Sequence, residues 1–290
     1  MALAAPAVPL RRPGGLLSAA VVAALLACLL LVVSGAAWRV SGGRWAVIET
    51  PSMGTAAPVG TLILTRPAPL ALLEVGDVVT YRPPNLPGSL VTHRVVAVLA
   101  DGNLQVQGDV NGAVDPFPVT QDSLVGEVVG HYRGLGWLVR ALPTLLLGVV
   151  VLVVGSGWYV PLRWRSSVRV LGSCVLVAVT SLIIRPFVHP VLVAVVTTPD
   201  GPRATVASGG LLPTRITGTA GDYVDLHAGE VGSVLVASDR PGGALLVSGS
   251  PELHGWWLVG MVVVCLLPLL WTLAVGLSPD PGRPAGRTTR

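Results

Sequence analysis

The sequence contains no lysine: all 19 of its basic Lys/Arg residues are arginine. Without a side-chain amine the chain cannot form a Schiff base, set a P-loop lysine on a phosphate, or run Ser-Lys hydrolysis. Charge of either sign is also scarce, at 12% of residues where a soluble domain carries roughly 25%. With 52% hydrophobic residues and a mean hydropathy of +0.72, the composition is that of a membrane protein. There are three cysteines, Cys28, Cys174 and Cys265, each inside a long apolar run. That placement excludes a metal cluster, a disulfide framework and a solvent-reached thiol nucleophile. No HExxH occurs, which removes the common zinc-peptidase pattern.

Four stretches are long and apolar enough to be predicted as transmembrane helices: 16–38, 138–159, 168–187 and 255–277. The apolar core of the first exceeds that of a cleavable signal peptide, so an uncleaved anchor is expected. Arg11 and Arg12 precede the first stretch. Arg163, Arg165 and Arg169 fall around the join of the second and third, and Arg283, Arg287 and Arg290 follow the fourth. Arginine in short loops marks the cytoplasmic side, so 1–15, 160–167 and 278–290 are expected inside and 39–137 and 188–254 outside. The outer segments carry six Arg against eight acids and three Arg against six acids. The pI of about 9.4 therefore reflects topology and gives no basic face for nucleic acid.

Segment 39–137 shows short β-branched runs (61–65, 77–81, 90–99, 104–107 and 124–129) between turn signals such as Pro83-Pro84-Asn85, Asp101-Gly102 and Asn111-Gly112. It predicts a compact all-β domain. Segment 188–254 repeats the style with runs at 191–198, 203–207, 223–226, 231–237 and 244–247. A second, smaller β domain is expected. Only the ends, 2–15 and 278–290, read as disordered tails.

In the first outer segment histidine occurs only at His93 and His131. His131 lies next to the second span, whereas His93 sits in Val91-Thr-His-Arg-Val-Val96, a strand pattern that could hold an imidazole as general base. Ser52 lies in Glu49-Thr-Pro-Ser-Met-Gly54, a turn just after the first span, and Asp109 and Asp115 lie in Gly108-Asp-Val-Asn-Gly-Ala-Val-Asp115. Taken singly, each reads as an ordinary strand histidine, loop serine or Asx-rich turn.

The order of Thr50-Pro-Ser-Met53, Gly76-Asp-Val-Val-Thr-Tyr81, Thr92-His-Arg-Val95, Gly108-Asp-Val-Asn111 with Asp115, and Val125-Gly-Glu-Val128 resembles that of type I signal peptidases, over about residues 46–132. It is similar to the endoplasmic-reticulum and archaeal branch, which has histidine where ordinary bacterial enzymes have lysine. The apolar stretches and β-branched runs predict an integral α+β membrane protein with about four transmembrane helices and a second small β domain. The resemblance implies that the first outer segment is an all-β, signal-peptidase-like extracytoplasmic catalytic domain. It implies a serine endopeptidase that removes signal peptides, with Ser52 as nucleophile and His93 as general base. Asp115 would orient His93 and Asp109 would be a supporting carboxylate, although the sequence leaves the split between them open. Thr50 and the Ser52 N–H would serve the oxyanion. The family's small residue before the serine is Pro51 here, and its Glu-Pro after Ser-Met is Gly54-Thr55.

The expected substrate is the extended segment of a preprotein, laid against a strand edge, with Met53 and strand 61–64 as candidate wall and plain packing as the alternative for Met53. The expected partners are signal-peptide-bearing preproteins, the lipid bilayer and the secretion translocon, with no nucleic acid, cofactor or metal. Segment 188–254 has no counterpart in the resemblance and is expected to recruit or screen substrates. Its deletion would then change selectivity while a generic peptide is still cut. His189, His227 and His254 have no metal spacing. The alternative is a catalytically inactive, signal-peptidase-like membrane protein that binds or assembles surface proteins.

Overall fold

The β-branched runs become strands close to where their alternation predicts them. The computed structural model describes residues 33–219, 221–236 and 247–252, with a few positions of the flanking apolar segments (26, 29, 30, 255, 256, 258–263 and 266). Six strands form one antiparallel sheet: β1 (Arg44–Val47), β2 (Leu62–Arg66), β3 (Val78–Tyr81), β4 (Val91–Val98), β5 (Leu104–Gln107) and β6 (Leu124–Tyr132). Their order is β1-β2-β6-β3-β4-β5. The β3–β4 register opposes Val79 to His93 and Tyr81 to Val91. By the two-residue period of a strand, Val79, Tyr81, His93 and Val95 share one face. That face carries the core of Leu73, Val79, Tyr81, Val95, Leu104, Val106 and Val119. Fully burying a Val or Leu there stabilises by about 1.5–3 kcal/mol. His93 is a polar side chain set into this apolar surface. On the reverse face Thr80 and Thr92 are hydrogen-bonded at 2.9 Å.

Two helices follow, α1 (Leu135–Tyr159) and α2 (Leu162–Ile184), joined by Val160-Pro161. Both are long and apolar enough to cross a membrane. They pack through small residues: a Cβ on Gly148 would meet the Leu176 side chain, and one on Gly172 that of Leu152. Such close approach is how apolar helices associate where lipid offers no hydrophobic drive. The expected loop 160–167 and the span limits 138 and 168 shift accordingly. Arg165 donates to the Val160 and Gly157 carbonyls, and Arg169 to the Ser156 hydroxyl. Arg165, expected in the loop 160–167, lies instead in the first turn of α2, where it satisfies carbonyls at the end of α1. Most of the expected first and fourth spans, both tails, Cys28, Cys265 and His254 lie outside the described residues.

Beyond α2 come β7 (Pro190–Thr198), β8 (Gly201–Ser208), β9 (Thr214–Thr217), β10 (Tyr223–Leu226), β11 (Val231–Leu235) and β12 (Ser248–Pro251). They pair as two three-stranded antiparallel sheets, β11-β8-β7 and β10-β9-β12. Ala204, Val206, Ile216, Leu226, Val234 and Val236 fill the core. The whole is a mixed α+β architecture with several antiparallel sheets. β9 and β12 lie outside the expected runs, and most of the expected run 244–247 lies outside the described residues. Ser248-Gly-Ser-Pro251 has no strand propensity of its own and is ordered by pairing with β9.

Candidate active site

His93 Nδ1 lies 2.5 Å from Asp115 Oδ2, and the same carboxylate oxygen accepts the Tyr81 hydroxyl at 2.5 Å. The hairpin β3–β4 sets Tyr81 and His93 on one face, and the loop after β5 delivers Asp115. That loop is held by the Asp115 N–H donating to the Val106 carbonyl at 2.9 Å. The His93 and Asp115 side chains are only 8% and 12% exposed, so water screens them little. Burial raises the Tyr81 phenol above its ordinary value, and the hydrogen bond to Asp115 and the carboxylate's charge add to it. Tyr81 therefore stays protonated and donating. A carboxylate facing Nδ1 holds the proton on that nitrogen and leaves Nε2 with the lone pair that a general base needs.

Ser52 sits in a single 3-10 turn, Pro51–Met53, with Thr50 as its extended N-cap. Pro51 takes the first helical position, where its fixed φ suits the turn and its missing N–H has no partner to lose. The departure at Pro51 is thus accommodated by the local geometry. The Ser52 N–H, in the same first turn, has no acceptor among the described backbone hydrogen bonds. The Ser52 hydroxyl lies 3.3 Å from the Thr50 hydroxyl. No hydrogen bond joins Ser52 to His93 among the described residues; such contacts are often long in a free enzyme and tighten around substrate.

What brings the two halves together is the Gly108–Asp115 loop. The Val110 N–H donates to the Ser52 carbonyl at 3.0 Å. A Cβ on Gly108 would lie 2.8 Å from that carbonyl oxygen and 2.9 Å from the Ser52 Cβ, so only glycine admits the approach. One short loop therefore pins the serine turn at one end and supplies the histidine's carboxylate at the other. The start of α1 braces residues on either side of that turn: the Gly136 N–H donates to the Gly60 carbonyl at 2.9 Å, and Arg140 pairs with Glu49 at 3.4 Å.

No family model matches the chain, and no curated protein matches it in sequence. The site is therefore read from its own residues.

The structure brings His93 and Asp115 together and sets Thr50 and Ser52 on an adjoining turn. Asp109 stands apart from them. It forms a two-bonded pair with Arg94, at 2.9 and 2.8 Å, and Arg94 also donates to the Gly76 carbonyl. These hydrogen bonds to Asp109 raise the Arg94 guanidinium above its ordinary value. Asp109 thus fastens the loop to β4 and the turn before β3, a clamp across three of the motifs. Two expectations are corrected. Met53 is 1% exposed and packs with Ile48, Ala57 and Ile63, so it cannot line a substrate wall. The segment 61–64 feeds β2, which is paired on both sides by β1 and β6 and offers no free edge. Tyr81 carried no assigned role in the sequence. Its signal is the register, since residues two apart on paired strands share a face, but register is not readable before the strands pair. Among the described residues no group of three or more His, Cys, Asp or Glu forms a metal site.

Proposed function

We propose that the chain is a membrane-anchored serine endopeptidase that cleaves signal peptides from exported preproteins at the outer face of the membrane. In this reading His93 takes the Ser52 proton as the hydroxyl attacks, and Asp115 holds the tautomer and stabilises the imidazolium. The leaving amine receives the proton, and water then resolves the acyl-enzyme. The Ser52 N–H and the Thr50 hydroxyl stand near the developing oxyanion, where losing one donor typically costs about 2.7–4 kcal/mol. Asp109 is left in a structural role.

The observation that carries this reading is the Gly108–Asp115 loop, which contacts Ser52 at Val110 and His93 at Asp115. On the expected topology of four spans with the arginine-bearing ends and join inside, both β units lie outside. The serine turn then lies directly above the outer end of α1, where a signal peptide's cleavage site leaves the bilayer. The test is cleavage of a preprotein by the purified protein in detergent. Ser52→Ala should lower the rate by about four to six orders of magnitude. An equal rate in parent and variant would leave the inactive, binding form of this scaffold as the better description.

A further inference from the structure

The second β unit touches the first at a seam, and the seam falls on the segment immediately after Ser52. Gly229, in the turn between β10 and β11, approaches so closely that a Cβ there would lie 2.5 Å from the Gly54 carbonyl oxygen and 2.9 Å from the Thr55 Cα. A Cβ on Gly209 would meet the Val59 side chain at 3.2 Å, and one on Gly134 would meet Leu211 at the same distance. The turn that carries Gly229 is hydrogen-bonded at several points. The His227 N–H donates to the Glu230 carboxylate at 2.7 Å. The Gly229 N–H donates to the Ser208 carbonyl at 2.7 Å, and the Ser208 N–H to the Glu230 carbonyl at 3.0 Å. On the other side, the Thr55 carbonyl accepts from Arg133 at the foot of α1. Backbone thus rests on backbone two to three residues from the nucleophile, and the abutting turn is itself locked to β8.

We infer that the second β unit is a working part of the serine site: its His227–Glu230 turn, through Gly229, positions the segment Thr50–Thr55 and so sets how well Ser52 attacks. This rests on the reading of Ser52 as nucleophile. It makes Gly229 a positioning residue and extends the expected role of the unit. A unit that only screens substrates would spare the cutting of a generic peptide, whereas a unit that braces the nucleophile is needed for every substrate.

Gly221 supplies the control. Its φ of +85° matches the +84° of Gly229, yet a Cβ on Gly221 would meet nothing within 4 Å. Gly229→Ala and Gly221→Ala therefore meet the same positive φ, and only the first presses on the nucleophile segment. In the full chain purified in detergent, Gly229→Ala should lower kcat on a generic peptide about 10- to 100-fold with KM little changed, the size expected of a misplaced reacting group. Gly221→Ala should keep the parent kcat. If Gly229→Ala does not fold, Leu211→Ala loosens the same seam without strain. It should lower kcat and speed deuterium exchange at the Ala56 and Ala57 amides, whose hydrogen bonds to the Met53 carbonyl close the turn. Equal kcat in both glycine variants, or unchanged exchange and kcat in Leu211→Ala, would overturn the inference alone. A parent chain whose Ser52 never reacts with a fluorophosphonate would overturn the reading of the site and this inference with it.

Discussion

The two β units use the same strand chemistry for different ends. The second has an aliphatic core, Ala204, Val206, Ile216, Leu226, Val234 and Val236. Its prominent ion pairs lie outside it, where Arg215 holds Asp225 across the strands and reaches Glu252. The first unit places a phenol, an imidazole and a carboxylate beside its aliphatic core. Burying polar groups costs stability unless each finds a partner, and here Tyr81, His93 and Asp115 satisfy one another. The difference separates a unit with a buried polar cluster from one with a purely aliphatic core, and each is joined to the serine turn in its own way.

Within the first unit the sharpest contrast is between its two aspartates. Asp115→Asn keeps the volume but presents the wrong partner to Nδ1, and kcat should fall about 10⁴-fold. Asp109→Asn weakens an Arg94 clamp that is about a third exposed, and the expected outcome is a kcat within a few fold of the parent. Steady-state kinetics on one peptide substrate compare the two directly. Similar losses would mean that Asp109 also serves the histidine.

Less of this contrast was legible in the sequence than the motifs suggest. The β-branched runs located β3, β4, β5 and β6 to within a few residues, because alternation is a local property. The motif order joins Ser52, His93 and Asp115, which the fold sets close together, with Asp109, which it pairs with Arg94 instead. Which aspartate meets His93 was not readable, because it depends on how the loop after β5 folds back over β4. Met53, which the sequence leaves open between a substrate wall and packing, is core. Arg165, expected in a loop, lies in the first turn of α2, where it answers carbonyls left open at the end of α1. The Gly54–Gly229 contact joins positions 175 residues apart, and nothing local signals it.

The aliphatic core of the second unit should be the larger lever on stability. Ile216 is fully buried, and Ile216→Ala should cost about 2–5 kcal/mol by lost burial and the cavity left behind. Thermal unfolding in detergent measures this. The carboxylate and imidazole of the first unit should be undisturbed at temperatures below the new transition.

A smaller effect is expected at Tyr81. Tyr81→Phe removes one donor from Asp115 while keeping the ring in the core, and kcat should fall about tenfold, the ordinary size for a hydrogen bond to a charged group. Its pH signature is distinct. The folded state holds the Tyr81 proton above the ordinary tyrosine value of 10.0. The stability this contributes is complete below that value, and it is lost as pH rises through the higher folded value. The parent should therefore lose stability above about pH 10 more steeply than Tyr81→Phe. With no lysine in the chain, no side-chain amine titrates in the same window. Parallel alkaline profiles would show that the Tyr81 phenol is neither buried nor held by Asp115 in solution.

The most direct measurement is covalent. The purified full chain is treated with a fluorophosphonate, and the modified residue is located by mass spectrometry, with His93→Ala treated in parallel. A serine site run by His93 gives a single adduct on Ser52 in the parent and little or none in His93→Ala. No adduct on Ser52, or equal labelling with and without the imidazole, would contradict it.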